Sequence, residues 1–142
     1  MNKIVKASVE VEVRFSEVDS LAIVWHGHYL RYFEDAREAF GRKFGFGYLD
    51  IFNNGFVTPL VNISCDYKKP LAYGDKAMIE IVFVNTPAAK IIFEYKVFNA
   101  ATKELVVTGS STQVFLTREK SELYMTVPDF FAAWKKKVGF EE

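Results

Sequence analysis

Only one cysteine, Cys65, occurs in the 142 residues. That excludes an internal disulfide and the stapled folds of small secreted domains, and it points to the cytoplasm. Histidine is almost as scarce, with His26 and His28 the only two. A metal centre built on this H-x-H pair needs further ligands, and Cys65 falls inside a strand pattern, so no metal is expected. Charge of either sign is not in excess: 18 basic and 18 acidic residues cancel. The balance gives no long-range pull toward nucleic acid or an anionic membrane, and leaves only local lysine patches to meet a phosphate. No apolar run is long enough to span a bilayer, and Met1 to Ser8 lacks the apolar centre of a signal peptide. Internal repeats, a G-x-S-x-G elbow, a phosphate loop and a dinucleotide fingerprint are all missing, and neither histidine has an evident serine partner. The length suits one domain over residues 1–142.

What the chain does have is periodicity. Ser8 to Ser16 alternates, with Val9, Val11, Val13 and Phe15 on one face and Glu10, Glu12 and Arg14 on the other, which predicts a half-buried strand. From Tyr29 the period lengthens. Tyr29, Tyr32, Phe33, Ala36, Phe40 and Phe44 form one helical stripe, Arg31, Asp35, Glu38 and Arg42 lie opposite, and Gly45 ends the helix. Strand patterns follow over Val61–Lys68, Ala77–Val84 and Ile91–Phe98, then Leu105–Thr117, which Gly109 interrupts. Short turns between them predict antiparallel pairing. Pro128 and Asp129 suit the first turn of a closing helix that carries Phe130, Phe131, Trp134 and Val138. Packing on its own domain is the plain reading of that helix, and a membrane-surface helix is its rival. The class is therefore α+β, with an antiparallel sheet curled around one long helix.

Chemistry concentrates between the first strand and that helix, in Glu17-Val18-Asp19-Ser20-Leu21-Ala22-Ile23-Val24-Trp25-His26-Gly27-His28-Tyr29. A helix N-terminus offers unpaired N–H groups and partial positive charge. Such donors can hold a carbonyl oxygen as it becomes negative. A carboxylate beside them, Asp19, can attack that carbonyl or activate water. The bland alternative makes Asp19 a turn or cap residue. His26 reads as a polar lining group near the helix start, or as a local hydrogen-bonding residue. Glu34 and then Glu17 are the competing carboxylates. Trp25, Gly27, Tyr29 and Phe33 are the candidates for substrate binding, the three aromatic residues for an acyl pocket, although core packing more often explains aromatic residues at helical spacing.

This stretch resembles the 4-hydroxybenzoyl-CoA thioesterase-like branch of the hotdog superfamily, which includes the acyl-CoA thioesterases of the bacterial Tol-Pal region. The similarity continues through Leu30-Arg31-Tyr32-Phe33-Glu34-Asp35-Ala36-Arg37, Tyr67-Lys68-Lys69-Pro70-Leu71, Gly74-Asp75 and Thr108-Gly109. It implies a five-stranded antiparallel sheet wrapped around the helix, and a homodimer through joined sheets that pairs again into a homotetramer. It implies an acyl-CoA substrate, no cofactor, and an active site at the subunit interface. Asp19 takes the place of the family's nucleophile or general base, and the backbone N–H of His26 that of the carbonyl-polarising donor. Two departures stand out. Ala22 occupies a family glycine position, so a positive φ there would strain the turn; His28 replaces a common asparagine. Lys68, Lys69, Arg118 and Lys120 are the candidates for the CoA phosphates, with solvated surface as their default reading. An acyl-thioester dehydratase or hydratase on the same fold, and a non-catalytic acyl-CoA binding module, are the alternative functions.

Overall fold

The computed structural model describes residues 3–140; residues 1, 2, 141 and 142, at the ends of the expected domain, lie outside it. Strand β1 (Lys6–Glu12) precedes helix α1 (Tyr29–Phe44) and a short helix α2 (Tyr48–Asn53). Then come β2 (Phe56–Val57), β3 (Leu60–Tyr67), β4 (Lys76–Val84), β5 (Lys90–Asn99), β6 (Leu105–Val114), β7 (Leu116–Thr117) and α3 (Asp129–Val138). Five strands form one antiparallel sheet in the order β1-β4-β5-β6-β3, and β2 pairs with β7 apart from it. The sheet curls around α1, which lies nearest β1 and β4. This is the hotdog arrangement that the resemblance implies.

The helical stripe is buried as its spacing predicts. Tyr29, Tyr32, Phe33, Ala36 and Phe40 are inside, while Glu38 and Arg42 pair at 3.5 Å on the wet face. Gly45 closes the helix at φ 67°, a conformation that costs a side chain but not glycine. The tail helix packs on its own domain. Trp134 stacks on Phe46 with centroids 4.3 Å apart, and its Nε1 donates to the carbonyl of Phe44 at 2.8 Å.

The first strand is shorter than its alternation suggests. It ends at Glu12, and Phe15 is 77% exposed in a 3-10 turn over Phe15–Glu17, edge-on to Tyr73. The turn forms because Glu17 Oε1 accepts the Arg14 N–H at 2.9 Å, a local bond that competes with the ladder. The last strand pattern also divides differently. Gly109 stays in the ladder, opposite Cys65 and Tyr95, and the break comes at Phe115, after which β7 leaves for β2.

Ala22 has φ 64°. Left-handed backbone costs a side-chain-bearing residue roughly 1–2 kcal/mol, partly offset by the extra unfolded-state freedom of glycine. Ala22→Gly is therefore expected to stabilise the protein by about 0.5–1 kcal/mol. A denaturant midpoint at or below wild type would contradict a strained turn.

Candidate active site

From β1 the chain enters a tight hairpin that faces the start of α1. Val18 and Val24 bridge antiparallel, Asp19 N–H donates to the Ile23 carbonyl at 3.0 Å, and Trp25 N–H to the Glu17 carbonyl at 2.9 Å. Residues 17, 18 and 19 thus face 25, 24 and 23. The hairpin is fastened to the body by Val24 N–H on the Leu71 carbonyl at 2.8 Å and by a bridge between Ile23 and Ala72. Asp19 sits near the tip and is exposed in the single chain. Its Oδ1 accepts the Leu21 N–H at 2.8 Å, while Oδ2 has no partner among the described residues.

Glu17 is not a free carboxylate. Its Oε1 accepts both the Arg14 N–H and, at 2.7 Å, the hydroxyl of Tyr32 on α1. Burial, and then the Glu17 carboxylate it donates to, push the Tyr32 phenol above the ordinary range. Glu34 lies exposed on the helix flank. Of the three acidic candidates, Asp19 is the exposed one on the hairpin leading into the helix, and its carboxylate makes only a local bond, whereas Glu17 on the same hairpin is half-buried and tied to α1 through Tyr32.

The helix begins through a 3-10 turn over His26–His28. Trp25 N–H is spent on Glu17 and His28 N–H on the Trp25 carbonyl at 2.9 Å. The amides of His26 and Gly27, between them, have no backbone acceptor among the described residues. These are the donors that a helix start leaves unpaired. Trp25, 47% exposed, lays its indole over Gly27 so closely that a Cβ there would fall inside the ring's van der Waals surface. The same indole faces His26 at 4.8 Å and His28 at 5.7 Å between centroids. Tyr67, at the end of β3, donates its hydroxyl to the His26 carbonyl at 2.8 Å. Tyr29 is buried between Tyr32 and Tyr67, and burial pushes its phenol up to about 12, the amide of Leu71 opposing the rise.

Trp25, His26, Gly27 and Tyr29 are thus gathered at the start of α1, and Asp19 lies on the hairpin that leads into it. Phe33 is not at that surface: it is fully buried, stacked on Tyr95 at 4.2 Å, one helical turn deeper in the core. Lys68 and Lys69 follow Tyr67 directly, both amides bonded to the Val106 carbonyl. Lys69 Nζ lies 2.7 Å from Glu104, whose carboxyl is held below its usual range by that hydrogen bond and charge. Arg118 is remote. It donates to the Phe52 carbonyl at 2.7 Å, and roughly 27 Å of β6, eight residues at about 3.4 Å each, separates Val106 from Val114 before it. Arg118 and Lys120 therefore do not share one phosphate site with Lys68 and Lys69 of the same chain.

The sequence pattern missed a cleft of about 1000 Å³ between the α1 flank and α2. Its walls include Glu34, Arg37, Val57, Thr58, Phe93 and Gln113, and none of Asp19, Trp25 or His26. Arg37 Nη1 donates to the Tyr95 hydroxyl at 2.9 Å, and Tyr95 is 2.6 Å from Ser111 Oγ, so a polar chain runs from the cleft into the core. The one signal for Arg37 was its position four residues after Phe33 on the helix, which puts it on the same side.

Residues 13–135 match the family described as "Thioesterase-like superfamily". The chain is 32% identical over 130 residues to a Bacillus subtilis protein named "Putative acyl-CoA thioesterase YneP", covering 89% of this chain and 94% of the other. Its fold is similar to that of a DHNA-CoA thioesterase from Staphylococcus aureus, with TM-score 0.82, 27% identity, and 93% and 90% of the two chains covered. It is similar also to a 1,4-dihydroxy-2-naphthoyl-CoA thioesterase from Synechocystis, with TM-score 0.82, 17% identity, and 96% and 99% covered.

Proposed function

The chain belongs to the thioesterase-like hotdog superfamily, and from that premise we propose that it hydrolyses acyl-CoA, with Asp19 as the reacting carboxylate. The observation that carries this reading is the free carboxylate oxygen on a hairpin running directly into a helix start with unpaired amides. The thioester carbonyl lies against the His26 and Gly27 N–H groups. Asp19 attacks it, giving a mixed anhydride that water then cleaves to free the acid and restore the carboxylate, or it takes a proton from a water that attacks directly. The carbonyl electrons move to the oxygen and are held by the two amides. When the tetrahedral intermediate collapses, the carbon–sulfur bond breaks and CoA departs as a thiolate, a good leaving group that needs no metal or redox cofactor. The second reading, a hydratase, needs an acid beside a histidine; the His26 ring is faced instead by the rings of Trp25 and Tyr67.

The working unit is a homodimer joined along β3. That strand is outermost in the sheet, and Leu60, Val61 and Tyr67 on it are exposed. An unpaired, apolar edge strand is a template for another chain. Antiparallel pairing about a two-fold axis sets the Leu60 end of one strand beside the partner subunit's Tyr67. The cleft behind Val57 and Thr58 then meets the partner's helix start, and the acyl group lodges there. Lys68, whose ammonium has no partner among the described residues, stands at the CoA end. Pairing of dimers into a homotetramer, residence in the cytoplasm, and membership of the 4-hydroxybenzoyl-CoA thioesterase-like branch with its Tol-Pal members belong to the same proposal. The lone cysteine supports the second and the helix-start motif the third. No helix among the described residues is long and apolar enough to cross a membrane.

The test is thiol detection with a panel of saturated acyl-CoAs, which a hydratase leaves intact. Free CoA is expected from at least one; none from any would remove the reading. Within the same assay Glu34→Gln should keep most of the activity, and His26→Ala should weaken it without abolishing it. A dead Glu34→Gln beside a live Asp19→Asn would move the chemistry to the helix flank.

A further inference from the structure

We infer that Tyr67 is a positioning residue for the oxyanion site, acting through the peptide group that joins His26 to Gly27. The inference rests on the thioesterase reading above. Tyr67 ends β3, and its hydroxyl reaches the His26 carbonyl at 2.8 Å. That carbonyl and the Gly27 N–H belong to one planar amide. A donor on the carbonyl therefore does two things to the N–H at the other end. It fixes the plane of the amide, and so the direction in which the N–H points. It also polarises the group, since hydrogen bonds in chains strengthen one another.

The arrangement is more than one bond. The Tyr67 ring is edge-on to the rings of His26 and Tyr29, at 6.4 and 5.6 Å between centroids, so the phenol is aimed by its own packing. On the other side Trp25 lies over Gly27. The turn is held by an indole and a phenol, and its His26 and Gly27 amides have no backbone acceptor among the described residues. Tyr67 is half-exposed, and its hydroxyl interacts with the partly buried Cys65 thiol of the same strand as well as with the His26 carbonyl. Since β3 is also the edge proposed to meet a second copy, dimer formation would hold the same phenol in place.

Tyr67→Phe removes the oxygen and keeps the ring. Losing a direct oxyanion donor costs about 10²–10³ in kcat, so losing the group that aims one is expected to cost about tenfold. The expected result is a kcat about tenfold lower, KM within twofold, and an unchanged melting temperature. A trifluoromethyl-ketone analogue of acyl-CoA, whose adduct carries the oxyanion, should bind about tenfold more weakly to the variant. A thioether analogue without a carbonyl should bind equally to both. In the proton–nitrogen spectrum the Gly27 amide should move upfield in the variant. Unchanged kcat and ketone affinity would overturn the inference while Asp19→Asn still tested the reaction itself. Equal loss of kcat and stability with no change in ketone affinity would make Tyr67 structural and overturn it too. If wild type releases no thiol from any acyl-CoA, the reading beneath the inference fails, and this inference with it.

Discussion

Asp19→Asn is expected to lower free-thiol release by on the order of 10³-fold or more, the scale at which a positioned base or nucleophile contributes. The substitution is close to isosteric. Asn keeps an Oδ1 that can accept the Leu21 N–H now held at 2.8 Å, so the hairpin should close as before. Its surroundings are polar and solvent-facing in the single chain, so no buried charge is lost and stability should change by no more than about 0.5 kcal/mol. What disappears is the charge and basicity of the exposed hairpin carboxylate. Acyl-CoA should still bind, because the helix amides, the cleft and the lysines are untouched. Oligomeric state should match wild type by light scattering. A variant that keeps a tenth or more of wild-type kcat would show that the carboxylate shapes a turn and does nothing more.

The parts of this fold that are local could be read from the residues. The α1 stripe from Tyr29 to Phe44 repeats over four turns, and Gly45 marks its end at a positive φ. The strands β4 and β5 alternate over long runs, and the strained position at Ala22 shows as a missing glycine. The illegible parts depend on contacts distant in sequence or on segments too short for a period. Helix α2 has six residues and β2 two, so neither leaves a pattern, and the cleft between α1 and α2 was invisible with them. Phe15 fits the alternation of β1, but a bond from its neighbour's N–H to Glu17 ends the strand first. Phe33 has the spacing of its stripe whether it faces a ligand or the core; only the position of Tyr95, sixty-two residues later, decides it. Within the candidate site, Asp19 and Trp25 to Tyr29 were legible because they are contiguous. Tyr67 was not legible as a site residue, because its bond to His26 spans 41 residues.

Gly109→Ala should destabilise the protein by about 2 kcal/mol, although it adds one methyl group to a strand. Gly109 lies within β6 between Cys65 on β3 and Tyr95 on β5. A Cβ built there falls 2.6 Å from Cε2 and Cζ of Phe33 and 2.7 Å from the backbone carbonyl oxygen of Ser64. Neither neighbour can yield cheaply. The Ser64 carbonyl belongs to the edge ladder, and Phe33 is fully buried and stacked on Tyr95 at 4.2 Å, so it retreats only by moving α1. Overpacking of this kind costs roughly 1–3 kcal/mol, here toward the upper end, and alanine's advantage over glycine in a strand returns about 0.5–1. The melting temperature should fall by roughly 6 °C. Because Phe33 is four residues after Tyr29 on the same helix face, the displacement should carry to the helix start, and kcat should drop with stability. Pairing Gly109→Ala with Phe33→Leu tests the cause. The double variant should be more stable than the sum of the two single losses, since a smaller side chain makes room for the methyl. Strict additivity would mean that the ring does not rest on this strand, and that some other contact sets the height of the helix above the sheet.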